Sequence, residues 1–138
     1  MNPLSAWPRA ALTLGVGAVL LAAVAYGGLF PDRTDYVGHF LAGAGGTFLL
    51  LAVVVAAAPE RRWPVVITVW VAILLGVFTE ATVFRLAEFD PVDLANQSLG
   101  AVLAGVAMLD ARPYDRSSWI ATAAGLGFLI AGFFYAFA

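Results

Sequence analysis

Cysteine and lysine are absent from this chain, and histidine occurs once, at position 39. The lack of cysteine excludes a disulfide framework, a thiolate nucleophile and a thiolate metal site, and one histidine excludes a histidine-rich centre. All seven basic residues are arginines, and they form no basic run. Because the net charge is also -2, the chain has no electrostatic basis for binding nucleic acid.

Charged residues are scarce as well. They make up 12% of the 138 residues, about half the share that is usual in soluble domains, whereas 62% of the residues are hydrophobic. The mean hydropathy is +0.92. A soluble fold of this size could not bury so much apolar surface, so the predicted solvent is lipid. The composition indicates a multi-pass integral protein of the cytoplasmic membrane.

Five apolar runs follow one another along the chain, at residues 10–30, 36–58, 65–84, 92–109 and 117–138. Each is close to the ~20 residues that one helical crossing needs, and none shows the strict alternation of a barrel strand. The sequence therefore predicts an all-α fold of five transmembrane helices in one domain, 1–138, with no soluble module. A cleaved signal peptide is the alternative for the first run, because Arg9 precedes it and Ala23–Ala25 fits a cleavage pattern.

The arginines predict the orientation of these helices. Five of them (9, 61, 62, 112 and 116) fall on the side of the N-terminus and only two (33 and 85) on the other. By the positive-inside rule the N-terminus is predicted to be cytoplasmic and the C-terminus to be outside. The outer side then carries most of the acids, which are Asp32, Asp35, Glu80, Glu88, Asp90 and Asp93.

Small residues at intervals of four predict where the helices pack. The second run has Gly38, Ala42 and Gly46, the fourth has Gly100 and Ala104, and the fifth has Ala121 and Gly125. Residues of this size allow two membrane helices to approach at close backbone distance. We interpret the three stripes as packing surfaces and not as phosphate-binding loops, because they lie inside the spans.

The polar residues inside the spans predict a site. Asp35 opens the second run with His39 one turn deeper, Glu80 lies near the outer end of the third, and Asp93 and Asn96 open the fourth. Because these helices alternate in direction, all five groups should lie at one depth near the outer surface. The predicted catalytic residues are His39, Glu80 and Asp93, and the predicted substrate-binding residues are Asp35, Arg85 and Asn96.

Structural roles compete with this interpretation. His39 alone is expected to be a structural hydrogen-bond partner of Asp35 and not a catalyst. Asp35 is a candidate for the N-cap of its helix, and Asp93 is a candidate for a first-turn acid favoured by the helix dipole. Arg85 is the expected neutralising partner of Glu80 or Asp93, so a purely structural ion-pair network is the alternative. Glu80 and Asn96 have no capping role where they stand, and a buried carboxylate costs several kcal/mol unless it is compensated.

The spacing of these residues resembles that of a known family. The pattern is Asp-x-x-x-His-Phe at 35–40, then Glu80, then Asp-x-x-Asn-x-x-x-Gly at 93–100. It resembles the VanZ-like family of small bacterial and archaeal membrane proteins, with Tyr36 in place of a frequent Lys and Val83 in place of a frequent Gln. The resemblance implies a role at the cell envelope. The founding member is linked to low-level resistance to the glycopeptide teicoplanin, and the family's biochemical activity is not established.

Three functions fit the sequence. The first is binding or modification of an envelope lipid or lipid-linked precursor, with His39 as base. The second is a metal-dependent intramembrane hydrolase with Asp35, His39, Glu80 and Asp93 as ligands, a set that suits Mg, Ca or Mn. The third is a non-enzymatic interaction or assembly subunit that binds a membrane-protein partner. The residues specify no cofactor and no oligomeric state, and they leave open whether a bond is made or broken.

Overall fold

The computed structural model describes residues 7–58, 62–82, 89–109 and 117–137. These residues form five helices, which are α1 Trp7–Leu29, α2 Thr34–Ala57, α3 Trp63–Thr82, α4 Pro91–Leu109 and α5 Ser117–Ala136. All five are long and apolar enough to cross a membrane, which confirms the predicted all-α fold. Their ends lie within three residues of the predicted ones.

Local chemistry sets the start of α4. Pro91 occupies the first helical position, where its missing N–H leaves no hydrogen bond unmade. The backbone N–H of Val92 donates to Asp90 Oδ1 at 2.8 Å, so the Asp90 side chain caps the helix. The sequence analysis counted Asp90 only among the outer acids, and its capping role is a structural finding.

Helix α2 is the centre of the bundle. In its most apolar window 56% of the residues are buried, against 11% for α1, and it packs on α3, α4 and α5. Phe40 and Phe48 on α2 are fully buried. The outward faces of the surrounding helices expose large apolar side chains such as Leu21, Trp70 and Phe133. A surface of this kind is stable only against lipid, which agrees with a membrane-spanning bundle.

Helices α2 and α5 run antiparallel at backbone contact distance. A Cβ built on Gly45 would lie 2.5 Å from the Leu129 nitrogen, and one on Gly132 would lie 2.6 Å from the Ala42 nitrogen. The predicted packing roles of Gly38, Ala42 and Gly125 are therefore confirmed, because all three lie in this interface. The prediction is wrong for Gly46, where a Cβ would meet nothing within 4 Å.

Helices α2 and α4 run parallel and also meet through glycine. A Cβ on Gly100 would fall against the carbonyl oxygen of Phe40 and 2.8 Å from the Ala44 nitrogen, and one on Gly43 would fall against the backbone of Gln97. Both contacts are with main-chain atoms, so a side chain at either glycine would separate the two helices. This contact confirms the predicted packing role of Gly100.

Helix α3 runs antiparallel to α4 and meets it through side chains. Gly76 lies beneath the side-chain amide of Gln97, and Gly105 lies beneath Val69. Since Gln97 also contacts Gly43 of α2, Gly43, Gly76 and Gln97 lie at one level of the bundle. The depth of a polar residue on α2, α3 or α4 can therefore be measured from this level.

Candidate functional site

One histidine and one aspartate meet between α2 and α4. His39 Nε2 lies 3.3 Å from Asp93 Oδ2, and the two side chains are 23% and 14% exposed. Each residue lies one turn nearer the helix start than the glycine contact at Gly43 and Gln97. The pair therefore lies near the end of the bundle where α2 and α4 begin, which we call the acidic end.

Glu80 of α3 lies at the same level. It is one turn from Gly76, as Asp93 is one turn from Gln97, and the two helices run in opposite directions. Glu80 is 9% exposed. Two carboxylates and an imidazole are thus delivered to one depth by three different helices.

Asn96 lies on the face of α4 that carries Asp93 and Gly100. Its side chain is 6% exposed, and Asn96 Nδ2 has no hydrogen-bond partner among the described residues. The same holds for Asp93 Oδ1 within that part of the chain. A buried polar atom that lacks a partner costs about 1–3 kcal/mol, so a ligand that bonded to these two atoms would remove that cost. We call His39, Glu80, Asp93 and Asn96 the polar cluster.

A second group of charges lies above the polar cluster, at the surface of the acidic end. Asp35 accepts three hydrogen bonds from the Arg33 guanidinium, at 2.7, 3.0 and 3.2 Å. Arg33 Nη2 also lies 3.9 Å from Asp90 Oδ2, and its guanidinium lies 4.0 Å from the centre of the Tyr36 ring. The hydrogen bond with Asp35 raises the pKa of Arg33 above its usual value. We call Arg33, Asp35 and Asp90 the rim.

The structure corrects two sequence predictions about this region. His39 was expected to pair with Asp35, but Asp35 is held by Arg33, and it is Asp93 that faces the imidazole. Asp35 was also considered as a helix cap. Helix α2 begins at Thr34 with no side-chain cap, so Asp35 is a first-turn acid. Predicted Arg85 lies outside the described residues.

Arg33 is the site residue that the sequence prediction missed. It was counted only as an outer charge in the orientation argument, although it stands two residues before Asp35. An arginine this close to an aspartate at a helix start can form a forked pair with it, and that spacing was the available signal.

The polar cluster does not form a metal-binding site among the described residues. Within residues 7–58, 62–82, 89–109 and 117–137, no group of three or more His, Asp and Glu side chains could hold a metal ion. His39 and Asp93 are close enough to share a ligand, but Asp35 is turned to Arg33. The four-ligand set considered from the sequence is therefore not assembled among these residues.

Comparisons with protein-family models, with curated proteins and with solved structures give no match to this chain.

Proposed function

We propose that this protein binds or modifies a lipid or lipid-linked precursor of the cell envelope at the polar cluster. The observation that carries the proposal is the 3.3 Å approach of His39 Nε2 to Asp93 Oδ2 from two different helices, with buried Glu80 at the same level. Ionisable groups inside membrane spans are costly and are usually retained for function. Because the spacing of these residues resembles that of the VanZ-like family, we also propose that the protein acts at the cell envelope and is linked to teicoplanin resistance.

The depth of the polar cluster suits a lipid headgroup. His39 stands five residues after the start of α2, which corresponds to about 7 Å along the helix axis. The headgroup layer on each side of the hydrocarbon core is about 5–8 Å thick. The imidazole and the two carboxylates would therefore meet a headgroup close to the boundary between the headgroups and the acyl chains.

The charges of the cluster favour a headgroup with a cationic part. Asp93 and Glu80 are the acidic side chains at this level, and Asp35 and Asp90 lie at the rim above them. An ammonium group would be attracted to such a site. For a modification reaction, His39 is the group to accept a proton, because Asp93 beside Nε2 can orient the ring and stabilise its charged form.

The two alternative functions receive less support. A metal-dependent hydrolase needs ligands that the described residues do not bring together. Small-residue faces are the surfaces by which an assembly subunit could bind a partner helix, but Gly38, Gly45 and Gly100 contact helices of the same chain. Their use inside the chain leaves lipid binding as the best-supported function.

The experiment is a set of single substitutions, His39→Ala, Glu80→Gln and Asp93→Asn, in cells that express the protein at matched levels. We expect each to lose the effect of the wild type on teicoplanin susceptibility and on the envelope lipids measured by mass spectrometry. Thr82→Ala is the control on α3, since its exposed hydroxyl donates to the Phe78 carbonyl of the same helix. Wild-type behaviour of all three cluster variants would refute the proposal.

A further inference from the structure

Two buried atoms of the polar cluster lack hydrogen-bond partners, and they are of opposite kinds. Asp93 Oδ1 is an acceptor and Asn96 Nδ2 is a donor, and neither has a partner within the described part of the chain. The two residues stand three positions apart on one face of α4, or about 4.5 Å along the helix axis. A single ligand that satisfies both atoms must therefore carry a donor and an acceptor a few bonds apart.

The acidic end has fewer cations than carboxylates. The sequence assigns six acids and two arginines to this side of the bundle. Of these arginines, Arg33 is bound to Asp35 through three hydrogen bonds. Among residues 7–58, 62–82, 89–109 and 117–137 no ion pair reaches Glu80, and Asp93 has only His39. Because unpaired carboxylates are costly at membrane depth, the ligand group that this level favours is a cation with a hydrogen to donate.

A primary ammonium has the donors that the cluster requires. Its three N–H groups can donate to Asp93 Oδ1 and to the Glu80 carboxylate at the same level, while its charge offsets theirs. Hydrogen bonds between charged groups are about twice as strong as neutral ones. An anionic headgroup, such as that of phosphatidylglycerol, would instead be repelled by the two acids.

A quaternary ammonium is less suited to this level. It has no N–H with which to meet the unpaired acceptor, and proteins recognise it through open aromatic faces. The rings that flank His39 on α2 are already in use. Tyr36 lies over the Arg33 guanidinium at 4.0 Å, and Phe40 stacks on Tyr26.

A headgroup can reach the cluster from the acidic end. The His39 and Asp93 side chains keep 23% and 14% of their surface exposed. Helix α3, which carries Glu80, is the adaptable wall, since it meets α4 through the Gln97 side chain over Gly76. Displacement of this wall opens the two buried atoms while α2 and α4 stay in contact through their glycines.

We infer that the polar cluster selects a zwitterionic phospholipid headgroup with a primary ammonium, as in phosphatidylethanolamine. The ammonium donates to Asp93 and Glu80, and the phosphodiester oxygen two carbons away accepts the hydrogen bond of Asn96. Since Asn96 lies one turn deeper than Asp93, the phosphate then lies on the side of the acyl chains, as it does in a bilayer leaflet. The inference rests on the proposed function in taking a membrane lipid as the ligand, and it adds the headgroup.

The test is a methylation series of headgroups offered to the full chain in nanodiscs of phosphatidylglycerol. Phosphatidylethanolamine, its N-methyl and N,N-dimethyl forms and phosphatidylcholine keep one positive charge and lose one N–H at each step. The ¹⁵N signals of His39, the one histidine of the chain, report occupancy, and the mole fraction at half-saturation gives the relative affinity. We expect the affinity to fall along the series, and to be at least about tenfold lower for phosphatidylcholine than for phosphatidylethanolamine.

Glycerophosphoethanolamine, the same headgroup without acyl chains, separates a lipid ligand from a soluble amine. We expect it to bind at least about tenfold more weakly than the lipid, because the acyl chains hold the headgroup at the depth of the cluster. Equal affinity for the soluble compound would make a free amine the ligand and would overturn the inference.

Two variants and one control make the test specific. Asp93→Asn should lower the affinity for phosphatidylethanolamine at least about tenfold, because it removes the charged acceptor. Asn96→Leu should lower it about threefold, yet should not lower the free energy of unfolding of the lipid-free protein, because an unpaired buried donor disappears. Asp32→Asn removes an exposed acid outside the cluster at the same end and should leave the affinity unchanged.

Three results would overturn the inference. They are equal affinity across the methylation series, equal losses in Asp93→Asn and Asp32→Asn, and binding that appears only after Arg85→Gln. The last result would mean that the cation of the cluster belongs to the chain itself.

The outcomes also separate this inference from the proposed function. If the series showed no preference while the cluster variants lost their effect in cells, the headgroup assignment would fall and the proposed function would stand. Selective binding of phosphatidylethanolamine, together with wild-type behaviour of the cluster variants in cells, would leave the headgroup assignment and refute the role at the envelope.

Discussion

Substitution of Gly100 by alanine should separate His39 from Asp93 without changing either residue. A Cβ on Gly100 would lie against the Phe40 carbonyl oxygen and 2.8 Å from the Ala44 nitrogen. Both neighbours are backbone atoms of α2, so no side-chain rotation can relieve the contact. The two helices themselves have to move apart.

The required movement can be estimated from the structure. Ordinary contact of a Cβ begins at 3.4 Å, so the Ala44 nitrogen alone must retreat by 0.6 Å. A shift of that size carried along α2 would take the distance between His39 Nε2 and Asp93 Oδ2 from 3.3 Å to about 3.9 Å. At that distance no hydrogen bond is possible, and the cost of overpacking should lower the free energy of unfolding by about 1–3 kcal/mol.

The assay uses the fact that the chain has one histidine. In protein labelled with ¹⁵N-histidine, every imidazole signal belongs to His39, and the Nε2 shift reports the approach of the Asp93 carboxylate. We expect Gly100→Ala and Asp93→Asn to move that signal in the same direction. Gly46→Ala on α2 should not move it, because its Cβ meets nothing within 4 Å.

An unchanged Nε2 signal in Gly100→Ala, in a protein that unfolds with the wild-type free energy, would refute this reasoning. It would mean that α2 and α4 do not meet at backbone distance in the membrane. A changed unfolding energy with an unchanged signal would instead show that the helices yield at Gly100 and that the cluster is held by other contacts.

Three further predictions concern stability, measured as the free energy of unfolding by steric trapping in bicelles or detergent. Arg33→Gln should lower the free energy of unfolding only slightly, and less still in high salt, because Arg33 and Asp35 are 44% and 33% exposed; a large, salt-independent loss would contradict this. Thr47→Val should stabilise the detergent-solubilised protein by about 1 kcal/mol, since a buried unpaired hydroxyl disappears; a loss of stability would show that the hydroxyl is bonded. Gly45→Val should destabilise it by about 1–3 kcal/mol or more, because a Cβ lies 2.5 Å from the Leu129 nitrogen; wild-type stability would be inconsistent with the α2–α5 contact.

Hydropathy predicted the spans well because lipid imposes a simple length requirement. A helix needs about 20 apolar residues to cross, and nothing in the tertiary structure can override that demand. Antiparallel order along the chain then fixed which helix ends share a surface, and this placed Glu80 and Asp93 at one level. The depth of a polar residue is therefore readable from sequence in a small membrane protein.

The partner of His39 was not readable in the same way. Spacing along one helix favoured Asp35 at i-4, whereas the observed neighbour is Asp93, 54 positions along the chain. That contact depends on the parallel packing of α2 and α4, which the glycines allow but do not specify. Asp35 was in addition unavailable to His39, because it forms an ion pair with Arg33 of the preceding turn.

The error at Gly46 has a geometric cause. Intervals of exactly four predict a stripe through Gly38, Ala42 and Gly46, but two helices that wind around each other meet every 3.5 residues on average. The contacts with α5 accordingly continue from Gly38 and Ala42 to Gly45 and Leu49. Gly46 is left at the side of the interface, where it lines a groove of about 550 Å³ between α2, α3 and α4.

The two kinds of helix contact divide the polar cluster into a fixed part and an adaptable part. His39 and Asp93 belong to α2 and α4, which touch through their main chains at glycine and cannot shift without separating. Glu80 belongs to α3, whose apolar window is 17% buried and which meets α4 through the flexible Gln97 side chain over Gly76. A displacement of α3 would therefore move Glu80 relative to a stationary pair of His39 and Asp93.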